Sequence, residues 1–391
     1  MKLLAIETSC DETAVAIVET NDCKIDNNNN SAFFDKLQTK ILANIINSQI
    51  NLHSPFGGVV PELAARSHLE IIDKLIIKAL EEANTTLDDI DYFAATCGPG
   101  LIGGLIVGMM ASKSLALLNN KKFLAVNHLE GHALTARFTH NITFPYLLLL
   151  LSGGHCQIIL VKGVGNYQII GSTIDDALGE AFDKTAKMLG LSYPGGPKIE
   201  KLAKNGDVSR FILPKPLTNN SQHLYNFSFS GLKTAILRHI EKLKSQKAEC
   251  QSLCDSLNNK ISEQDIADIA ASFQNTASDI LIDRLNNSIN HQDVRNLINK
   301  QILDKVVIAG GVAANQYIFT KINNFLQSHQ LKLIAPPINL CTDNALMIAW
   351  AAVENLFCPQ HNFVDNLHNL KFKPRSNWPL DNIDKTDNIA I

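Results

Sequence analysis

The stretch that decides the fold is KLLAIETSCDETAVAIV, residues 2–18. An apolar run at 2–7 predicts a buried strand, and a second apolar run at 14–18 predicts its return strand. The residues between them, 8–13, are hydroxyls, a thiol and carboxylates, which predict a polar turn. The same design returns at mid-chain in YLLLLLSGGHCQIILV, residues 146–161. Two strand–polar turn–strand segments predict a duplicated α/β architecture, although hairpins are common enough to recur by coincidence.

Two further segments place glycines directly after a predicted strand and before a predicted helix. One has Gly98-Pro99-Gly100 after the strand at 92–96, and the other has Gly310-Gly311 after the strand at 306–309. Glycines there let backbone N–H groups approach an anion, and the dipole of the following helix favours negative charge. Neither segment is a P-loop or a G-x-G-x-x-G fingerprint. Together with the polar turns, they make a nucleotide-phosphate site plausible.

A possible metal site lies at residues 128–132. His128-Leu129-Glu130-Gly131-His132 places two imidazoles four residues apart, hence on one face of a helix, where both can reach one metal ion at about 2 Å. In zinc peptidases the general base directly follows the first histidine. Here that position is Leu129, so the peptidase base is missing. Two unrelated surface histidines remain an alternative for this motif taken alone.

Bulk properties exclude several classes of protein. The 391 residues are 46% hydrophobic and 19% charged, which is ordinary for a globular chain of about two domains. A net charge of −3 gives no strong electrostatic signature for nucleic acid, so such a partner would need a local basic patch. Eight scattered cysteines and no recognisable leader predict reduced thiols and a cytoplasmic location. No apolar run is long enough to span a bilayer, and no membrane contact is expected.

Six blocks of sequence together resemble the TsaD family of tRNA threonylcarbamoyladenosine transferases. The resemblance extends over about residues 1–378, and its motifs are specific as a set. The blocks are IETSCDET at 6–13, GGVVPELA at 57–64, HLEGH at 128–132, SGGH at 152–155, DDALGEAFDK at 175–184 and GGVAAN at 310–315.

The resemblance implies an α/β, actin-like or sugar-kinase-like ATPase fold, with two duplicated lobes and a nucleotide cleft between them. We place the lobes at 1–126 and 127–378, with an insertion at about 242–264, another at about 21–34, and a tail at 379–391. The implied reaction passes threonylcarbamoyl from threonylcarbamoyl-AMP to N6 of adenosine 37 in tRNAs that read codons beginning with adenine. The products are threonylcarbamoyladenosine (t6A) and AMP.

The resemblance also implies site residues. Asp343 would be the third metal ligand beside His128 and His132, although as a single residue it could equally cap the following helix. Two imidazoles and one carboxylate suit Fe(II), which we favour, or Zn(II). The threonylcarbamoyl-AMP substrate would be bound by Leu150, Leu151, Ser152, Gly153, Gly154, Asp183, Gly196 and Asn315. For Asn315, a helix N-cap is the alternative role.

A base that removes a proton from N6 would assist the reaction, and Glu12 and Asp11 are our candidates. Both could instead be solvated turn carboxylates. The family also implies partners besides tRNA: a shorter paralogous subunit of the same fold (TsaB-like) and a P-loop ATPase (TsaE-like). A basic rim for tRNA is predicted at Lys184, Lys187, Lys198, Lys201, Lys204 and Arg210, with a solvated charged face as the alternative.

Three other functions are considered. A sugar kinase or other ATPase of the same fold explains the glycine turns but not the histidine pair with Asp343. A metallopeptidase explains the histidines but lacks its base at Leu129. A non-catalytic partner subunit of the same assembly would be expected to lose the histidine pair, which this chain keeps.

Overall fold

The computed structural model describes residues 1–21, 38–218, 220–250, 261–358 and 370–383. Residues 22–34 of the first predicted insertion and 251–260 of the second lie outside these ranges. Residues 384–391 of the predicted tail also lie outside them.

The first sheet has five strands in the order β3-β2-β1-β4-β5. The antiparallel hairpin predicted at 2–18 is present as β1 and β2, with Ile6 opposite Val15. Its turn is shorter than predicted because β2 already begins at Glu12. β1 pairs in parallel with β4, and β4 with β5. The strands are β1 (Lys2–Glu7), β2 (Glu12–Thr20), β3 (Thr39–Ser48), β4 (Tyr92–Gly98) and β5 (Lys122–Asn127).

The second sheet repeats this topology. Its strands follow the order β10-β9-β6-β7-β8, so β6, β7, β8, β9 and β10 take the places of β1 to β5. β6 pairs in parallel with β9, and β9 with β10, as β1 does with β4 and β4 with β5. The predicted duplication is therefore confirmed. The strands are β6 (Tyr146–Leu151), β7 (Cys156–Gly163), β8 (Asn166–Ser172), β9 (Lys305–Ala309) and β10 (Lys332–Ile334).

Helices lie between the strands. The helix predicted after Gly310-Gly311 begins only at Gln316, because Gly311–Ala314 forms a 3-10 turn and Asn315 caps the α-helix that follows. Among the described residues, no helix combines the length and apolar character that a membrane span needs. The helices are α1 (Ile50–His53), α2 (Pro61–Glu82), α3 (Ile102–Leu118), α4 (His128–His140), α5 (Leu178–Met188), α6 (Gly195–Ala203), α7 (Ser230–Cys250), α8 (Glu263–Ile289), α9 (Gln292–Asn299), α10 (Gln316–Ser328) and α11 (Ala345–Leu356).

The chain forms two compact units with interrupted sequence ranges. Unit 1 comprises 1–146, 161–168 and 336–391, and unit 2 comprises 147–160 and 169–335, in each case for the described residues. Unit 1 thus includes α4, which carries the histidine pair, and α11, which follows Asp343. The lobe boundaries predicted at 126/127 and 378/379 stay a prediction.

Two glycines let α3 lie directly on the end of β1. A β-carbon at Gly104 would be 2.3 Å from the carbonyl oxygen of Thr8, and one at Gly108 would be 2.2 Å from the Thr8 hydroxyl oxygen. That hydroxyl donates a hydrogen bond to the Gly104 carbonyl at 2.8 Å. The close packing fixes the start of the polar turn that follows β1.

We expect Gly104→Ala to destabilise the protein by about 1–3 kcal/mol, because the new methyl group meets backbone that cannot move aside cheaply. Gly231→Ala is the matched control, since that glycine is also helical and its β-carbon would have only an ordinary contact at 3.5 Å. The control should be neutral or slightly stabilising, because alanine favours helix. Urea unfolding of both variants measures this, and equal midpoints would contradict the packing argument.

Candidate metal centre

The histidine-bearing helix begins where β5 ends. Asn127 caps α4, and its side-chain oxygen accepts hydrogen bonds from the N–H groups of Leu129 and Glu130 at 2.9 and 3.3 Å. Its amide group donates to the carbonyl of Trp378 at 2.8 Å, so the cap itself is held in place. The first residue of the helix, His128, therefore has a fixed position at the end of the sheet.

The structure brings the three predicted ligands together. His128, His132 and Asp343 offer ligand atoms that all lie within 4.8 Å of one another. Asp343 Oδ1 is 3.0 Å from His132 Nε2 and 3.5 Å from His128 Nε2. Both imidazoles are buried, whereas the Asp343 side chain is 20% exposed. Two nitrogens from buried imidazoles and one oxygen from a partly exposed carboxylate fit a divalent metal ion with coordination positions left open.

The helix cap next to Asp343 is its neighbour Asn344. The N-cap of α11 is Asn344, whose side-chain oxygen accepts from the N–H of Met347 at 2.9 Å. The capping role considered for Asp343 is therefore wrong. The apolar helix α11 packs against the first sheet along nearly its whole length, which fixes the start of the helix and the Asp343–Asn344 pair that precedes it.

Glu7 and Ser9 were missed as part of this site. Glu7 Oε2 lies 3.2 Å, and the Ser9 hydroxyl 3.1 Å, from Nδ1 of His128. Burial by itself would lower the pKa of His128, but the carboxylates of Asp343 and Glu7 raise it to about 9. Burial would likewise raise the pKa of Glu7, but the charge and hydrogen bond of His128 lower it. The sequence feature that could have revealed Glu7 is a carboxylate at the last position of an otherwise apolar strand.

The Glu130 carboxylate is used in other contacts and is not placed to act as a base beside the two histidines. Its carboxylate accepts hydrogen bonds from Tyr167 Oη at 2.7 Å and from the side-chain amide of Asn355 at 2.9 Å. The N–H of Gly165 also approaches it, at 3.3 Å. Glu130 is only 1% exposed, so these contacts assign it a structural role. This agrees with the absence of the peptidase pattern.

The two candidate bases lie at the tip of the first hairpin. Asp11 is buried, and Glu12 is half-buried. Burial, followed by the charges of Asp343 and Asp11, raises the pKa of Glu12 well above its usual value. His68 on α2 holds the tip, because its Nε2 is 3.0 Å from the Cys10 carbonyl and its Nδ1 2.8 Å from the Thr13 hydroxyl. His68 therefore supports the hairpin tip as a structural residue.

The predicted substrate turn lies in unit 2. The side chains of Leu150 and Leu151 are fully buried, so only their backbone could meet a ligand. The turn is closed by a hydrogen bond from Ser152 N–H to the His155 carbonyl at 2.8 Å, and Gly153 and Gly154 are exposed. Two other glycines approach it closely: a β-carbon at Gly310 would be 2.4 Å from the Leu151 oxygen, and one at Gly179 would be 2.8 Å from the Ser152 oxygen.

The remaining predicted substrate residues have local roles that the structure defines. Asp183 accepts a hydrogen bond from Gly195 N–H at 2.6 Å. Gly196 has open space where a β-carbon would be. Asn315 caps α10, since its oxygen accepts from Ile318 N–H at 2.9 Å, and its amide donates to Gln274 at 2.8 Å. The capping alternative for Asn315 is therefore correct as a structural role, and its contact with substrate stays a prediction.

Part of the predicted basic rim is neutralised. Lys184 forms ion pairs with Asp176 at 2.7 Å and with Glu180 at 2.9 Å. Arg210 likewise pairs with Asp265 and Asp268, at 2.6 and 2.5 Å. These two cations therefore offer less to a phosphate backbone than the sequence suggested.

Comparison with known proteins decides the family. Residues 40–350 match the family TsaD, tRNA N6-adenosine threonylcarbamoyltransferase. A relative of that name from Bartonella bacilliformis is 52% identical over 384 residues, which cover 97% of this chain and 96% of the relative. One from Brucella anthropi is 49% identical over 381 residues, with the same coverage of each chain. The chain belongs to the TsaD family.

Solved structures agree with this TsaD family fold. Full-length HypF in its phosphate- and nucleotide-bound form is 14% identical, with a TM-score of 0.52 over 90% of this chain and 55% of that chain. HypF from T. kodakarensis is 13% identical, also with a TM-score of 0.52, over 91% of this chain and 48% of that one. At this identity the likeness concerns the fold alone, and it confirms the α/β, actin-like ATPase class.

We expect His132→Ala to weaken Co²⁺ or Zn²⁺ binding by more than about 100-fold, because it removes a buried ligand and leaves two. His140→Ala, at the exposed end of the same helix, is the matched control and should bind the metal as the wild type does. Isothermal titration of the metal-free protein measures both. Metal binding that survives in His132→Ala would contradict the proposed ligand set.

Proposed function

We propose that this protein transfers the threonylcarbamoyl group from threonylcarbamoyl-AMP to N6 of adenosine 37 in tRNAs that read codons beginning with adenine. The products are t6A and AMP. The observation that carries this proposal is the convergence of His128, His132 and Asp343 in a chain of the TsaD family. The reaction needs a carbamoyl carbon made electrophilic and a phosphate leaving group, and both favour positive charge close to oxygen atoms.

The metal centre would serve that need. The ligand set has two imidazoles and one carboxylate, which favours Fe(II) and allows Zn(II). A divalent ion held there would supply Lewis-acid polarisation of a carbonyl or phosphate oxygen. Leu129 faces a buried environment and carries no ionisable group, so activation of water by a neighbouring base is not part of the proposal.

The turn at Ser152, Gly153 and Gly154 supports binding of the adenylate phosphate. It lies at the N-terminus of α5, where Gly179 N–H is 3.3 Å from the Ser152 oxygen. Among the described residues, no hydrogen bond engages the N–H groups of Gly153 and Gly154, and both residues are exposed. Exposed N–H groups beside a helix N-terminus form an anion site. Asp183, Gly196 and Asn315 would complete the binding of ribose and adenine, together with the backbone of Leu150 and Leu151.

Glu12 is the better candidate for the base that accepts the N6 proton. Its pKa is raised well above the usual value by burial and by neighbouring carboxylates. A raised pKa brings a carboxylate closer to the pH at which it works as a proton acceptor. Asp11 is more deeply buried and would act on Glu12 through its charge.

A reconstituted assay tests the transfer. With threonine, bicarbonate, ATP, tRNA and the enzyme that makes the adenylate, wild-type protein and its partners should form t6A. His132→Ala should lower the rate by about 100-fold or more, because Lewis-acid stabilisation is worth several kcal/mol. His140→Ala is the control at wild-type rate. Unchanged t6A formation in His132→Ala would refute the role of the metal. If the wild-type protein formed no t6A on any tRNA, the proposed function would be refuted.

The same assay with Glu12→Gln tests the base. If Glu12 accepts the proton, kcat should fall by about 100-fold while binding of the adenylate is kept. A wild-type kcat in Glu12→Gln would show that Glu12 is not the base, and positioning and polarisation of the substrate would then account for the rate.

We also propose that the protein works in the cytoplasm with a same-fold, TsaB-like subunit and a P-loop, TsaE-like ATPase. Helix α3 offers a surface for a protein partner. Ile102, Ile106 and Met110 lie on one face at intervals of four residues and are 49%, 44% and 50% exposed. Leu117, on the same face, is 66% exposed. Exposed apolar side chains that share one face of a helix are typical of an interaction site.

Ile106→Glu should weaken binding of the same-fold subunit by about tenfold or more, because a charge would be buried in an apolar interface. Ile212→Glu is the matched control: it makes the same change at an isoleucine of unit 2 that is 88% exposed. Titration calorimetry with the purified subunit measures both affinities. Equal affinities in the two variants would show that α3 is not part of the interface.

A further inference from the structure

The end of β1 places a buried carboxylate behind the metal centre. Glu7 is fully buried, and its Oε2 atom lies 3.2 Å from Nδ1 of His128. This is the imidazole nitrogen that faces away from Asp343, because Nε2 of the same ring is 3.5 Å from Asp343 Oδ1. Glu7 thus contacts a ligand of the proposed site without belonging to the ligand set itself.

The Glu7 carboxylate is held on both oxygens. Its Oε1 atom accepts a hydrogen bond from the N–H of Ser9 at 2.6 Å. Its Oε2 atom accepts one from the hydroxyl of Thr96, which lies on the neighbouring strand β4. Since β1 and β4 are paired in one sheet, these contacts leave the carboxylate little freedom to rotate. The hydroxyl of Ser9, at 3.1 Å from Nδ1, closes the same side of the imidazole.

This geometry decides which histidine nitrogen can bind a metal. An ionised carboxylate only accepts hydrogen bonds, so the Nδ1 atom of His128 must carry the hydrogen. The lone pair available to a metal is then on Nε2, which is the atom that faces Asp343. Metal-binding histidines commonly donate their second nitrogen to a carboxylate in this way, and such contacts orient the ring.

We infer that Glu7 is a positioning residue of the metal centre. It fixes the tautomer and the ring orientation of His128, and Thr96 and Ser9 in turn fix Glu7. The inference rests on the metal site proposed above and adds to it a residue that contacts neither the metal nor the substrate.

Co²⁺ binding tests this, because its visible absorption reports ligand geometry independently of catalysis. Glu7→Gln should bind Co²⁺ about 10- to 100-fold more weakly, with an altered spectrum, since an amide can present its NH₂ group to Nδ1 and favour the wrong tautomer. The Co²⁺ affinity of Thr96→Val should lie between those of Glu7→Gln and the wild type, because this change loosens the Glu7 carboxylate without removing it. Titration calorimetry gives the affinities.

Glu354→Gln is the matched control. Glu354 is also fully buried, and it too contacts the histidine-bearing helix α4, through Arg137 Nε at 2.8 and 2.9 Å. The variant removes a buried negative charge that contacts α4 without changing the surroundings of Nδ1. It should bind Co²⁺ within about threefold of the wild type, since Glu354 contacts Arg137 and neither histidine ligand.

Several results would overturn the inference. One is wild-type affinity and spectrum in Glu7→Gln. Another is an equal loss in Glu7→Gln and Glu354→Gln, which would indicate general loss of packing. If Glu7→Gln fails to fold, unchanged Co²⁺ affinity in both Thr96→Val and Ser9→Ala would overturn it. A wild-type protein that binds no Co²⁺ would instead refute the metal site, and the inference with it.

Discussion

The structure of the candidate site depends on the buried contact between Glu7 and His128. An ionised carboxylate or imidazolium inside a protein costs several kcal/mol unless partners replace its water. Here the partners are Ser9, Thr96 and Asp343, which come from three separate places in the chain. Burial opposes both charges, yet the carboxylates of Asp343 and Glu7 raise the pKa of His128 to about 9, and His128 in turn lowers the pKa of Glu7. The end of β1, the start of α4 and Asp343 are therefore held together by charge as well as by packing.

Helix α4 carries both candidate metal ligands and residues with a structural role. His128 and His132 point to Asp343, whereas Glu130 and Arg137 are used in buried contacts with Tyr167, Asn355 and Glu354. Arg137 also lies 3.9 Å above the ring of Phe144. These structural contacts hold the helix where the histidines need it, and they explain why a glutamate inside a metal-binding motif need not be a base.

The duplicated sheets show how far strand patterns predict a topology. The two polar hairpins at 2–18 and 146–161 predicted repeated architecture, and the two sheets share one strand order. Family membership confirms the fold class and the enzyme class that the six sequence blocks indicated. Local geometry was less predictable: Asn344 caps α11 in place of Asp343, and Asn315 caps α10. Adjacent polar residues at a helix start compete for the cap, and only the backbone conformation decides between them.

The repeated hairpins, the histidine spacing and the family can be read from the sequence alone, because periodicity and motif order are local properties of the chain. The sequence also supplied Asp343, through resemblance. Only the tertiary structure placed Glu7 and Thr96 behind His128, assigned Glu130 to a buried network, and neutralised Lys184 and Arg210 with carboxylates. Each of these contacts except the Lys184 pairs joins residues more than thirty positions apart. Such partners are chosen by sheet pairing and helix packing, which no spacing along the chain records.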